Sequence, residues 1–92
     1  MTLLKLKETD LHWREIDGEI IALEGRGSRY LAANRAAAVL WRALVSGTTV
    51  DALADELVRA FGIDRERAVA DAGRFVDALA EQGLLAADPV RV

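Results

Sequence analysis

Between residues 11 and 33, apolar and polar positions alternate in three short runs separated by two turns. Leu11–Ile16 is followed by Asp17-Gly18, a dipeptide that tolerates positive φ and suits a two-residue hairpin. Glu19–Glu24 leads into Gly25-Arg26-Gly27, and residues 28–33 form the third run, so the pattern predicts a three-stranded meander. Residues 2–7 also alternate, Leu4 and Leu6 against Lys5 and Lys7, in a stretch short enough either to extend the first strand or to frame the sheet. After Asn34, a plausible N-cap, the period changes: Ala37, Leu40, Trp41, Leu44 and Val45 follow helical spacing until Ser46-Gly47. Thr48 or Thr49 caps a second helix with Leu53, Ala54, Leu57, Val58 and Phe61 on one face and Gly62 at its end. Asp64 caps a third, which runs to about Gln82, and Leu84 and Leu85 after Gly83 fold back over its last turn.

Composition narrows the picture. The chain has 92 residues, 52% hydrophobic and 29% charged, which suits one folded domain with one core. We place that domain at residues 1–88 and read residues 89–92 as a C-terminal tail that frays. Only 5% of residues are aromatic, so Trp13, Tyr30, Trp41, Phe61 and Phe75 are each expected to anchor something, most of them in the core. Without cysteine there is no disulfide, thiolate nucleophile or cysteine-based metal site, and the single His12 makes no metal cluster alone. Ser28 and Ser46 lack a nucleophile-elbow context, and Gly25-Arg26-Gly27-Ser28 does not match a phosphate loop. The reading is therefore no catalytic residues, no metal and no cofactor. Lys5 interrupts the only apolar N-terminal run, which argues for a cytoplasmic protein that does not insert in membranes.

Particular residues resemble the PqqD family, named for a pyrroloquinoline quinone biosynthesis protein. They are Trp13-Arg14-Glu15-Ile16-Asp17-Gly18-Glu19-Ile20-Ile21-Ala22-Leu23, then Ser28-Arg29-Tyr30-Leu31-Ala32-Ala33-Asn34, Leu40-Trp41 and Gln82-Gly83-Leu84-Leu85. The resemblance implies an α+β winged helix-turn-helix, a three-stranded antiparallel sheet followed by three helices, in agreement with the element order. It also implies a recognition element for ribosomally made peptides, holding the leader segment of a precursor as an extra strand beside the third strand, in a groove shared with the third helix. The strand residues so implicated are Ser28, Arg29, Tyr30, Leu31 and Ala32; those of the helix are Arg65, Val69, Ala72, Gly73, Val76 and Asp77.

Alternation puts Tyr30 and Leu31 on opposite faces, one toward the core. The third helix carries two apolar stripes about 100° apart. Ala68, Ala72, Phe75 and Leu79 have the larger side chains and are assigned to the core. Val69, Gly73, Val76 and Ala80 leave room for a peptide, bordered by Arg65, Glu66 and Asp77, although both stripes could instead be packed against the other helices. Gly73 favours the groove, since a helical glycine costs about 1 kcal/mol relative to alanine and close approach of another backbone is one reason to keep it.

Charge bears on partners. Arg26, Arg29, Arg35 and Arg42 fall in a stretch without acids, which either forms a positive patch near the third strand or is an ordinary solvated face. The net charge is −3, and from Asp64 to Gln82 three arginines stand against five acids, which argues against nucleic acid and against the alternative of a winged-helix DNA-binding or regulatory protein. The expected partners are a precursor leader peptide and a maturation enzyme such as a leader peptidase, cyclase or radical enzyme. The free-standing size resembles lasso peptide maturation, and an open sheet edge would also support a homodimer.

Overall fold

The computed structural model describes residues 2–25, 29–86 and 90–91. In chain order the elements are β1 (Thr2–Leu3), β2 (Leu11–Ile16), β3 (Glu19–Glu24), β4 (Arg29–Ala33), α1 (Arg35–Ser46), α2 (Val50–Phe61), α3 (Arg65–Glu81) and β5 (Val90–Arg91). The predicted three strands and three helices are present, and β2, β3 and β4 form an antiparallel sheet in that order.

Local chemistry sets most boundaries. Asp17 and Gly18 both have positive φ, 53° and 82°, the geometry of a type I′ hairpin turn, and Ile16 pairs with Glu19 across it. Each helix is capped by a side-chain oxygen that accepts from a first-turn N–H: Asn34 from Ala37 at 2.9 Å, Thr49 from Ala52 at 3.2 Å and Asp64 from Arg67 at 2.8 Å. Gly62 ends α2 in the left-handed region, its N–H donating to Val58 carbonyl. After α3 the Leu84 N–H reaches back to the Leu79 carbonyl at 2.9 Å, and Leu84 is buried, so the chain folds back over the last turn.

One core lies between the sheet and the helices. Ile20 and Ala22 of β3, Leu40, Trp41 and Leu44 of α1, Leu53 and Leu57 of α2, and Ala68, Ala72, Val76 and Leu79 of α3 are all buried in it. α3 packs chiefly on α2. The aromatic residues are less buried than the sequence suggested. Trp41 alone is in the core, whereas Trp13, Tyr30 and Phe61 are exposed and Phe75 is half-buried. Trp13 nevertheless meets Trp41 edge-on, with ring centroids 6.1 Å apart.

The N-terminal segment frames the molecule without joining the meander. Leu4 exchanges main-chain bonds with Thr48, the Leu6 N–H donates to Leu44 carbonyl and the Lys7 N–H to Leu84 carbonyl. The segment thus straps the end of α1 to the chain that returns from α3, and Leu6 is buried beneath it. Within the segment read as a tail, Val90–Arg91 pairs with Thr2–Leu3.

Candidate functional site

The site begins with the parity of the sheet. The Gly25 N–H donates to Asp10 carbonyl, and with the Ile16–Glu19 turn pair this fixes which β3 residues bond β2. Hydrogen-bonded and non-bonded pairs alternate in an antiparallel ladder, so Glu19, Ile21 and Leu23 face β2, and Ile20, Ala22 and Glu24 face β4. Their partners on β4 are Ala33, Leu31 and Arg29. Tyr30 and Ala32 therefore turn their N–H and C=O groups toward the outer edge, where no main-chain bond is made among the described residues. The side chains divide the other way: Leu31 and Ala33 are half-buried against the core, and Tyr30 points outward at 64% exposure.

One end of this edge is closed. Arg29 Nη2 donates to the carbonyl of Gln82, the C-cap of α3, at 2.6 Å and pairs with Glu24 at 2.8 Å. Lys7 donates to the other Glu24 oxygen at 2.5 Å. The bonded Lys7 ammonium, and after it the charge of Arg29, hold the Glu24 carboxyl below its usual pKa although burial works the other way. This cluster ties the N-terminal strap, β3, β4 and the C-terminus of α3 together.

The other end opens into a cavity of about 410 Å3 between α1, α2 and α3. Asn34, directly after β4, lines it with Ala36, Ala37 and Leu40 of α1, Leu57 and Phe61 of α2, Ile63 of the following turn, and Arg67, Asp71, Arg74 and Phe75 of α3. Arg67 approaches Asp71 at 3.6 Å and Arg74 bonds the same carboxylate. The flank of α3 that faces the end of β4 is thus Arg67, Asp71, Arg74 and Phe75.

That corrects the sequence assignment. Val76 belongs to the buried stripe and Phe75 to the cavity wall, and Ala72, at 0% exposure, is sealed in the core where no ligand reaches it. Arg65 turns to α2, bonding Asp55 with Asp51 3.8 Å away. Val69 and Asp77 are exposed, and Gly73 lies about 160° around the helix from Phe75. A Cβ added at Gly73 would meet nothing within 4 Å, so no close backbone approach within the chain requires this glycine. A helical wheel gives angles within one helix but not which neighbour lies on which side, and the size argument favoured Phe75 over Val76 for the core. Ser28 lies outside the described residues. Asn34, Ala37, Phe61, Ile63, Arg67, Asp71 and Arg74 line the cavity and are not among the residues the sequence singled out for the peptide.

Among the described residues of the arginine-rich stretch, two of the three arginines are engaged by acids. Arg42 pairs with Glu15 at 2.8 Å, Arg29 is engaged as above, and Arg35 lies over the hairpin, its Nε 3.4 Å from where a Gly18 Cβ would be. Arg26 lies outside the described residues. Among the described residues no group of histidine and carboxylate side chains is placed to hold a metal, and no helix is long and apolar enough to cross a membrane.

No curated protein matches the chain in sequence. A solved structure, "TbiB1 in Complex with the TbiA(beta) Leader Peptide", shares its fold with a TM-score of 0.80 and 23% identity, covering 91% of this chain and 96% of that one. Residues 19–85, which span β3, β4, the three helices and the returning segment, match the family described as coenzyme PQQ synthesis protein D, and the chain is a member of the PqqD family.

Proposed function

We propose that this protein holds the leader segment of a ribosomally made precursor peptide as an added strand beside β4 and presents it to a modifying enzyme or leader peptidase. The observation that carries this reading is the open edge at Tyr30 and Ala32, bounded by the Arg29 clamp and leading into the cavity against α3. Unpaired main-chain groups on an edge strand accept another strand, as peptide-binding domains commonly exploit. The fold shared with TbiB1, whose structure contains a leader peptide, supports the same reading.

The energetics assign separate tasks to the two parts. Each main-chain hydrogen bond gives a net gain of about 0.5–1.5 kcal/mol, and few are available on so short an edge. A large side chain fully buried contributes about 1.5–3 kcal/mol. Strand pairing therefore sets register and contributes a share of the affinity comparable to that of the side chains that enter the α3 side. The protein contributes binding and raises the local concentration of precursor for the enzyme that acts on it, with no chemistry of its own. We place it in the cytoplasm, in a lasso-type pathway.

Duplex DNA fits the same surface poorly. Arg67 and Arg74 share Asp71, and Arg65 is engaged by α2 acids, so α3 has little unopposed charge to offer phosphate. The direct test is titration of a fluorescent leader peptide from a precursor encoded beside this protein, with labelled duplex DNA in parallel. Saturable leader binding with weak, salt-sensitive DNA binding is expected; tight sequence-selective DNA binding without leader binding would overturn the reading.

A further inference from the structure

We propose that the outer edge of β2 is the interface with a second copy of this chain: two β2 strands pair antiparallel about a two-fold axis at Trp13 and join two three-stranded sheets into one. Neither copy uses its β4 edge in this pairing, so dimerisation is independent of whatever β4 holds.

Ladder parity fixes this edge as it fixes the other. The Gly25 N–H donates to Asp10 carbonyl at 3.0 Å, so His12, Arg14 and Ile16 bond β3, whereas Leu11, Trp13 and Glu15 turn their N–H and C=O groups outward. Among the described residues no strand and no main-chain bond meets them there. Open edges are commonly blunted by charge or proline, yet the middle of this one carries an indole. Trp13 is 38% exposed although it lies on the core side of the sheet against Trp41. Beside it Val45 of α1, 37% exposed, borders a hollow of about 200 Å3 with Leu6, Glu8 and Leu11.

Symmetry and charge select a second copy and its register. An antiparallel pair sets outward-turned residues opposite one another, which leaves few positions for the axis. With the axis at Trp13 the pairs are Leu11 with Glu15, Trp13 with Trp13 and Glu15 with Leu11, and the two indoles cover each other. With the axis at Arg14 two arginines would meet, and with the axis at His12 the partner of Glu15 would lie beyond Asp10, whose φ of 58° takes the chain out of the strand. The residue opposite Leu11 enters the hollow, and in the Trp13 register it is Glu15 with Arg42 on its carboxylate at 2.8 Å. The Arg42 guanidinium thus arrives at a wall that includes Glu8. One strand edge buries less than the roughly 800 Å2 per partner of a standard interface, so the dimer dissociates on dilution.

The chain has no cysteine, so introduced thiols report the register directly. In non-bonded antiparallel pairs the Cα atoms are about 4.5 Å apart, within disulfide reach, and here such a pair joins His12 of one copy to Arg14 of the other. Chains carrying His12→Cys are mixed with chains carrying Arg14→Cys in a glutathione redox buffer. The mixed disulfide should exceed either symmetric one by about tenfold, because only its Cα atoms lie opposite one another. A statistical mixture of the three would overturn the register and with it the interface.

In sedimentation of the native protein without any leader peptide, mass should rise from monomer to dimer with concentration. Glu15→Pro removes an N–H that points to the free edge and no bond to β3, so it should weaken the dimer about tenfold while circular dichroism stays native. Should that variant unfold, His12→Glu on the exposed face serves in its place. Its carboxylate opposite Arg14 of the second copy should tighten the dimer about threefold, and adding Arg14→Glu should reverse the gain. A native protein that stays monomeric at millimolar concentration would remove the proposal. So would a dimer that Ala32→Pro disperses and that Glu15→Pro and His12→Glu leave unchanged, since its interface would be β4.

Discussion

The two flanks of α3 are built differently although they belong to one helix. On the α2 side, Arg65 is held by Asp51 and Asp55, and the adjoining Ala68 and Ala72 are buried, so the helices close on each other. On the other side, α3 stands away from the first turn of α1, and Arg67, Asp71, Arg74 and Phe75 border open space. Side-chain size on the facing wall makes the difference: Ala36 and Ala37 are too small to fill the gap, whereas small residues on the α2 side let backbones approach. Space for a ligand lies where small residues face a neighbour held at a distance.

Five substitutions break or sharpen that contrast. The largest effect is expected from the strand opposite the open flank. Ala32→Pro deletes an N–H that points to the free edge, so the domain should fold while leader affinity falls about a hundredfold; Leu31→Pro deletes an N–H bonded to β3 and should destabilise the sheet. Circular dichroism melts and leader titration separate these outcomes, and equal melting of the two variants would refute the assigned parity.

Phe75→Ala on the open flank should weaken leader binding about tenfold and lower stability by roughly 1–3 kcal/mol, less than a fully buried phenylalanine would, because the ring is half-exposed to the cavity. Calorimetric titration with a chemical denaturation curve reports both, and native affinity would mean that the peptide does not reach this wall.

A smaller effect concerns pH. The Glu24 carboxyl is held below its ordinary value in the folded protein, chiefly by Lys7, so the unfolded chain binds the proton more readily. Its stabilising contribution is fully present above the unfolded value and is lost as pH falls through the folded one. Between about pH 6 and pH 3 the melting temperature of the native protein should therefore fall more than that of Glu24→Gln. Parallel pH dependence in the two proteins would show that the cluster adds nothing to stability.

The smallest change is expected on the other flank. Gly73→Leu adds a side chain where a Cβ meets no neighbour, so leader affinity should stay within about twofold and the helix should gain up to about 1 kcal/mol from propensity. A large loss of affinity here would exchange the roles of the two flanks.

Features governed by adjacent residues were legible in the sequence. Asp17-Gly18, Asn34, Thr49, Gly62 and Asp64 each act within a few positions, and each stands where its local chemistry places it. The edge position of β4 followed from the meander. The orientation of α3 did not, because it depends on packing with α1 and α2 across long stretches of chain. Ala72 and Val76 were thus assigned to a ligand that burial keeps from them, and the cavity formed by Asn34, Phe61 and Arg67 was not seen. Residues 2–7 were ambiguous for the same reason, since their partners Leu44, Thr48 and Leu84 lie far along the chain.

The N-terminal strap also has a consequence for the order of assembly. The β2–β4 meander and the α2–α3 pair join neighbours in sequence, whereas the bonds from Leu6 to Leu44 and from Lys7 to Leu84 close long loops. Such closures are entropically costly and are compensated only once both partners are already in place, so the strap is the last piece to lock and the first to detach. In hydrogen exchange the Leu6 and Lys7 amides would open ahead of the core helices, and brief release of Lys7 would loosen Glu24 and Arg29 while the rest of the fold stayed intact.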